Sequence, residues 1–324
     1  MLALIARRLL AAALALVGIS VITWNLMSLA PGDAAQIYAR QFAVSGFPTA
    51  DEVAAARAHL GLDGGVLSQY GRWAATAATG DLGRSFQSGE QVVAELARRL
   101  PATLELTLAA MAMIVVLGIS AGTLAALRPN RRADLAARLT TLVVGSVPSF
   151  WLSLVLIWIF AANLGWLPST GRDGAASLVL PALALGVPGS AVVIRLVRAA
   201  VIDALAEDYV IAARARGVPE RSVVIRHALR NALVPVSTQL GLVFGALLSG
   251  AAIVETIFAW PGVGKLAVDA IASQDYPVLQ GFVLFSALIY LGVNLAVDLL
   301  YRVLDPRVTR ETARVNQRAR GLAT

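Results

Sequence analysis

Six runs of about 20 or more predominantly apolar residues dominate this chain, at positions 9–29, 104–127, 139–164, 178–197, 236–257 and 279–303. A helix of roughly 20 apolar residues crosses the roughly 30 Å hydrocarbon core of a bilayer. Within that core only helices and closed barrels satisfy every backbone N–H and C=O internally. The runs therefore predict an all-α membrane protein with six transmembrane helices. Pro181 and Pro188 interrupt the fourth run, which makes it a kinked span, and neighbouring helices compensate the freed carbonyls. The first run follows Arg7 and Arg8 and ends near Ser28-Leu29-Ala30, a small-x-Ala pattern that resembles a cleavage site. It exceeds the roughly 7 to 15 residues of a secretory apolar region, so it reads as an uncleaved span.

Composition narrows the chemistry. Of 324 residues, 58% are hydrophobic and only 15% charged, too apolar for a soluble domain with a solvated face. There is no cysteine, which excludes disulfides, thiol catalysis and thiolate-bound metal. The two histidines, His59 and His227, lie far apart and outside the spans, so neither a histidine-rich metal site nor an intramembrane histidine-dependent protease fits. Gly262-Val263-Gly264-Lys265 is not a nucleotide-binding P-loop, because Ala259 stands where the first glycine belongs and Leu266 where the hydroxyl belongs. No cofactor is expected.

Arginine placement orients the spans. With the N-terminus in the cytoplasm, 19 of the 27 Lys and Arg residues fall on the cytoplasmic side, a distribution that follows the positive-inside rule. An even number of spans then puts both termini inside. The outer side receives one sizeable segment, residues 31–101. Thr49 and Glu52 form a capping box before a helix from Val53 to Leu60 that Gly61 closes, and Ser88 with Gln91 repeats the device before a helix from Val92 to Leu100. Gly80-Asp81-Leu82-Gly83 reads as a turn. Glu105, Glu255 and Asp298 sit near span ends, as interface anchors or helix–helix hydrogen-bonding groups, and Asn294 lies deeper. A proton-coupled carrier would show more intramembrane ionisable residues than these.

One hydrophilic interruption stands apart, residues 203–235 between the fourth and fifth runs. Strong helix formers fill 202–216, Gly217 is a C-cap candidate, and Pro219 suits the first turn of a second helix. The second helix carries Val223, Val224, Ala228 and Leu229 on one flank and Arg221, Arg226 and Arg230 on others. Tethered at both ends to spans, such a helix pair cannot easily enter a nucleic-acid groove, so no nucleic-acid partner is expected. Contact with membrane lipid and docking of a protein partner both remain open on periodicity alone.

A resemblance chooses between them. Asp208-Tyr209-Val210, Ala213-Arg214-Ala215, Gly217 and His227-Ala228-Leu229-Arg230-Asn231-Ala232-Leu233 with Pro235 resemble the EAA loop of the peptide/nickel-type permeases of ABC importers, the DppB/OppB-like kind. Gly80 to Ser85, Arg99 to Leu106, Glu255 with Phe258 and Pro261 to Gly264, and Asn294, Asp298, Tyr301 and Asp305-Pro306-Arg307 follow that family's pattern in order. Ile211 departs from it, standing where the motif carries a charged residue, and Ala212 replaces a usual threonine.

The resemblance implies a MetI-like permease fold of the type I importers in the inner membrane of a prokaryote, with no catalytic or metal-binding residues of its own. It also implies a second, homologous permease subunit, ATP-binding cassette ATPase subunits that hydrolyse the nucleotide, and an extracytoplasmic solute-binding protein. Tyr209, Ala212, Ala213, Arg214, Arg216, Gly217, His227, Arg230 and Asn231 are then expected to couple the permease to its ATPase. Di- or oligopeptides are the implied substrates, with glutathione or nickel chelates as alternatives. The expected organisation is an N-terminal span at 1–30, an external cap at 31–101, a permease core with five spans at 102–305 and a basic tail at 306–324.

Overall fold

The computed structural model describes residues 2–29, 32–41, 43, 47–127, 129, 131–249 and 251–304. They form α1 (Leu2–Leu29), α2 (Ala34–Arg40), α3 (Ala50–His59), α4 (Val66–Ala78), α5 (Val92–Leu127), α6 (Arg132–Ser146) and α7 (Ser149–Leu156), which runs into a π-helical stretch at Ile157–Asn163. Next come α8 (Ala175–Leu205), α9 (Asp208–Ala215), α10 (Glu220–Ser222) and α11 (Arg230–Leu248), the last two joined by a second π-helical stretch at Val223–Leu229. α12 (Ala252–Ile257), α13 (Val263–Ala272) and α14 (Tyr276–Leu304) complete the order. The tail at 306–324, Asp305 and the side chains of Asp298 and Tyr301 lie outside the described residues, as does Arg128.

Among the described residues, five helical stretches are long and apolar enough to cross a membrane: Ala6–Met27, Val92–Leu127, Ala175–Leu205, Glu220–Leu248 and Tyr276–Val297. The sixth expected span is a pair, Asp134–Ser146 and Ser149–Asn163, bent by 96°. The bend falls at Val147-Pro148, where both residues are extended. Proline pushes the residue before it out of the helical region, which breaks a run that looks continuous in hydropathy.

Other boundaries also shift. Pro181 and Pro188 lie inside one continuous α8, and Pro101 inside one continuous α5, so none of the three ends its helix. The fifth span starts at Glu220 rather than Val236, stops at Leu248 and leaves Glu255 in the separate α12. The Thr49–Glu52 capping box and the Gly61 stop are present, with Leu62 and Gly61 amides donating to Arg57 and Ala58 carbonyls at 2.9 and 3.1 Å. The second box is not. The Ser88 hydroxyl donates to the Glu95 carboxylate and accepts from the Glu90 amide, and an antiparallel bridge between Arg84 and Gln91 precedes α5.

The chain divides into two compact units. One comprises Met1–Glu105, Thr170–Arg172 and Leu248–Leu291; the other Leu106–Ser169, Asp173–Leu247 and Gly292–Thr324. In the first, Phe86, Val92, Leu96, Val263, Leu266 and Leu279 form the core. Two buried carboxylates organise its helix ends. Asp275, just before α14, accepts the Ser85 hydroxyl at 2.5 Å and the amides of Phe86 and Val278 at 3.1 and 3.4 Å. Glu255 accepts the Thr103 hydroxyl at 2.7 Å and the Lys265 amide at 2.8 Å, in the first turn of α13 where the helix dipole favours an anion.

In the second unit α5 and α8 pack closely through small residues. A Cβ on Gly118 would lie 2.5 Å from Val193, and one on Gly122 would lie 2.8 Å from the Ile194 carbonyl oxygen, so only glycine admits this approach. Asp134 in the first turn of α6 is fully buried and pairs with Arg198 of α8 and Arg138 of α6.

Candidate functional site

The connection from α8 into the fifth span is built by local chemistry. α8 ends at Leu205, and Glu207 in extended backbone accepts the Val210 and Ile211 amides at 2.9 and 3.2 Å to start α9. Asp208 sits in the first turn, where an acid complements the helix dipole. The expected helix over 202–216 is thus two helices broken at 206–207. α9 ends in a Schellman motif: the Gly217 amide donates to the Arg214 carbonyl at 2.9 Å and the Val218 amide to the Ala213 carbonyl at 3.2 Å, with Gly217 at φ +77°.

Only one stripe of α9 is buried. Val210 and Ala213, three residues apart, are fully buried against Val223, with Leu205 and Val218 packed around them. Tyr209, Ala212, Arg214 and Arg216 are exposed, and Ile211 presents 55% of its surface. The outward side of α9 is therefore an apolar strip of Ile211 and Ala212 beside two arginines.

The return arm of the loop is braced rather than loose. Arg214 reaches across the turn to Glu220 with contacts of 3.1 and 2.7 Å, and this pairing pushes the guanidinium pKa up from its ordinary value. Pro219 is the N-cap of α10, one residue before the first helical turn expected for it, and its carbonyl accepts the Ser222 and Val223 amides. The segment after Pro219 is no short second helix but the start of the span, which runs unbroken through the π-helical stretch and past Pro235. The Tyr209 hydroxyl lies 3.5 Å from the His227 carbonyl, at the outer limit of a hydrogen bond. His227 is half-buried, and Arg230 and Asn231 stand exposed at the start of α11.

The nine candidate residues thus play different parts. Tyr209, Ala212, Arg214 and Arg216 are outward, Ala213 seats α9 from beneath, Gly217 shapes the turn, and His227, Arg230 and Asn231 lie on the following helix. Sequence reasoning missed the Asp134–Arg198 pair that ties α6 to α8 within the same unit; its visible signal was Asp134 four residues before Arg138.

Comparison with known proteins matches residues 93–310 to the family described as binding-protein-dependent transport system inner membrane component, a match that contains the whole loop. The chain belongs to this family. Its residues 1–107 match the N-terminal component of the same transport systems. The permease is 41% identical over 293 residues to the glutathione transport system permease protein GsiC of Escherichia coli K12, covering 90% of this chain and 93% of that protein. It is 37% identical to the dipeptide transport system permease protein DppB of Alkalihalophilus pseudofirmus, covering 95% and 99%. Among solved structures, the inward-facing MetNI methionine ABC transporter shares its fold at a TM-score of 0.55 and 22% identity, over 65% of this chain and 96% of that one.

Membership makes the permease a multi-pass inner-membrane transport subunit rather than an enzyme. ATP hydrolysis belongs to a separate subunit, and a solute-binding protein is the second kind of partner.

Proposed function

We propose that this permease is one of two distinct, homologous membrane subunits of an importer for peptides or peptide-like solutes, with dipeptides and glutathione as the first substrates to test. The two substrate classes come from the DppB and GsiC relatives. Both termini, the α9 loop and the arginine-rich connections face the cytoplasm in this reading, supported by the 19-to-8 division of basic residues. The segment at 31–101 is an external cap that receives the solute-binding protein, and the core from 102 carries the solute path. Membrane lipid surrounds the spans.

The observation that carries the coupling role is the construction of α9: two buried anchors beneath, a Schellman stop at Gly217 and an exposed apolar strip above. A short helix fixed this way transmits a rigid displacement, whereas a flexible loop would absorb it. When the ATPase subunits close on ATP, the strip of Ile211 and Ala212 moves with the groove that holds it, and the spans exchange between inward-open and outward-open packings. Binding free energy supplied by the nucleotide needs only to differ between these two packings.

Uptake of labelled dipeptide and of labelled glutathione into vesicles tests the reading. Accumulation is expected only with the second permease subunit, the ATPase, the binding protein and ATP all present. Accumulation by the lone chain, driven by a proton gradient after ATP depletion, overturns it.

A further inference from the structure

Within the first unit, the spans α1 and α14 and the amphipathic α4 line an open apolar cavity of about 570 Å³. Tyr70, Trp73, Ala74 and Ala77 line it from α4 at i, i+3, i+4 and i+7, the spacing of one helical face. Val17 and Ser20 of α1 and Phe285 of α14 line the other sides. Its two hydroxyls are satisfied: Tyr70 donates to the Ser20 hydroxyl at 2.9 Å, and Ser20 donates its own proton to the Val17 carbonyl at 2.8 Å. Walls this apolar hold ordered water poorly.

A second observation lies at its edge. Trp24, Tyr70 and Trp73 cluster with ring centroids 5.3 to 6.2 Å apart, and Trp73 also borders a smaller cavity of about 190 Å³ lined by Trp24, Met27 and Leu60. The indole N–H groups of Trp24 and Trp73 are buried and have no acceptor among the described residues. Buried indole donors ordinarily find one, and Trp and Tyr gather where hydrocarbon meets headgroup. The apolar surface continues outward from α4 through Val66 and Leu67, which are 54% and 83% exposed.

We propose that this cavity is a binding site for one acyl chain of a bilayer phospholipid, seated between α1, α4 and α14, with the Trp24, Tyr70 and Trp73 rings packed at its edge. The cavity lies between membrane spans and its walls are apolar, so an acyl chain leaves no polar group unmet there. A peptide solute is a poor occupant, because its charged ends and amides would meet one self-satisfied hydroxyl pair. A partner helix is too bulky: at a diameter of about 10 Å, less than two turns would fill the volume. The bound chain fastens the cap helix α4 to the spans.

The complete transporter, reconstituted in phosphatidylethanolamine and phosphatidylglycerol vesicles doped with a phospholipid carrying a mid-chain diazirine, tests this by photolabelling and peptide mapping. Label is expected on residues 70–78 and 284–288. Ala77→Trp and Ala74→Phe, which fill the cavity, are each expected to abolish it there while leaving label on the lipid-facing Leu14, a sign of intact insertion; if one variant fails to assemble, the other decides. Wild-type protein without label at 70–78, or labelling undiminished in the filled variants, overturns the proposal.

Discussion

Arg198 of α8 donates from Nε and Nη2 to the two carboxylate oxygens of Asp134 on α6, at 2.5 and 2.8 Å, and Asp134 has no exposed surface. Arg138 adds a third contact at 2.5 Å. A carboxylate removed from water this completely depends on the cations that hold it, and Arg198, with two of these contacts and the less exposed side chain, is the main one. Asp134→Ala leaves Arg198, which keeps 21% of its side chain exposed, without its partner. The expected cost is about 2–3 kcal/mol, less than for a fully buried pair, because solvent partly replaces the lost contact. Thermal unfolding of the purified complex should show a clearly lowered midpoint, and Arg138→Gln, at a more exposed cation, a much smaller decrease.

Gly217 and Gly61 end two helices by the same geometry, at φ +77° and +65°. Alanine at either position costs roughly 1–2 kcal/mol of local backbone free energy. If the α9 turn transmits motion, Gly217→Ala lowers ATP-driven uptake and Gly61→Ala, in the other unit, does not. Gly217→Pro also removes the amide that donates to Arg214 and fixes φ at a negative value, so uptake should vanish while membrane insertion persists. Uptake assays beside thermal midpoints for the three variants separate loss of transmission from loss of fold. Equal uptake in Gly217→Ala and wild type argues against the coupling role.

Ala212 and Ala213 are adjacent alanines in opposite environments, one exposed and one fully buried against Val210 and Val223. Ala213→Asp buries a carboxylate among Val210, Val223, Leu205 and Val218 and should unseat α9, lowering the thermal midpoint and uptake together. Ala212→Asp leaves the fold intact and puts a charge on the outward strip. It should weaken retention of the ATPase in pull-down while leaving the midpoint unchanged. Retention equal to wild type in Ala212→Asp moves the docking surface elsewhere.

Helix ends with side-chain or glycine signals were legible in the sequence, as at Thr49, Gly61 and Gly217, because local hydrogen bonds decide them. Breaks inside apolar runs were not. Pro148 bends its span by 96° while Pro101, Pro181 and Pro188 do not break theirs, and hydropathy treats all four alike. The outcome depends on which neighbours take over the freed carbonyls, which is a tertiary matter. The α9 loop stood out through its motif, but motif spacing does not distinguish an outward Ala212 from a buried Ala213. Glu255 and Glu105 read as span-end anchors; in the structure Glu255 bonds Thr103 and the start of α13, while Glu105 pairs with Arg172 at 2.6 Å.

Ala259 occupies a position that glycine would hold at lower cost. It sits at φ +50° after α12, in the same Schellman geometry as Gly217: its amide donates to Thr256 at 3.2 Å and the Trp260 amide to the Glu255 carbonyl at 2.8 Å. The turn fixes Trp260, which is fully buried and donates its indole N–H to the Ala102 carbonyl at 2.7 Å. Ala259→Gly relieves the left-handed strain, partly offset by a freer unfolded chain, for an expected gain of about 0.5–1 kcal/mol. Gly262→Ala, three residues on, should do the reverse, since a Cβ there would lie 2.3 Å from the Glu255 carboxyl carbon. A raised midpoint for Ala259→Gly beside a lowered one for Gly262→Ala is the expected pattern. An unchanged or lowered midpoint for Ala259→Gly would mean that the alanine methyl contributes packing larger than the strain it carries.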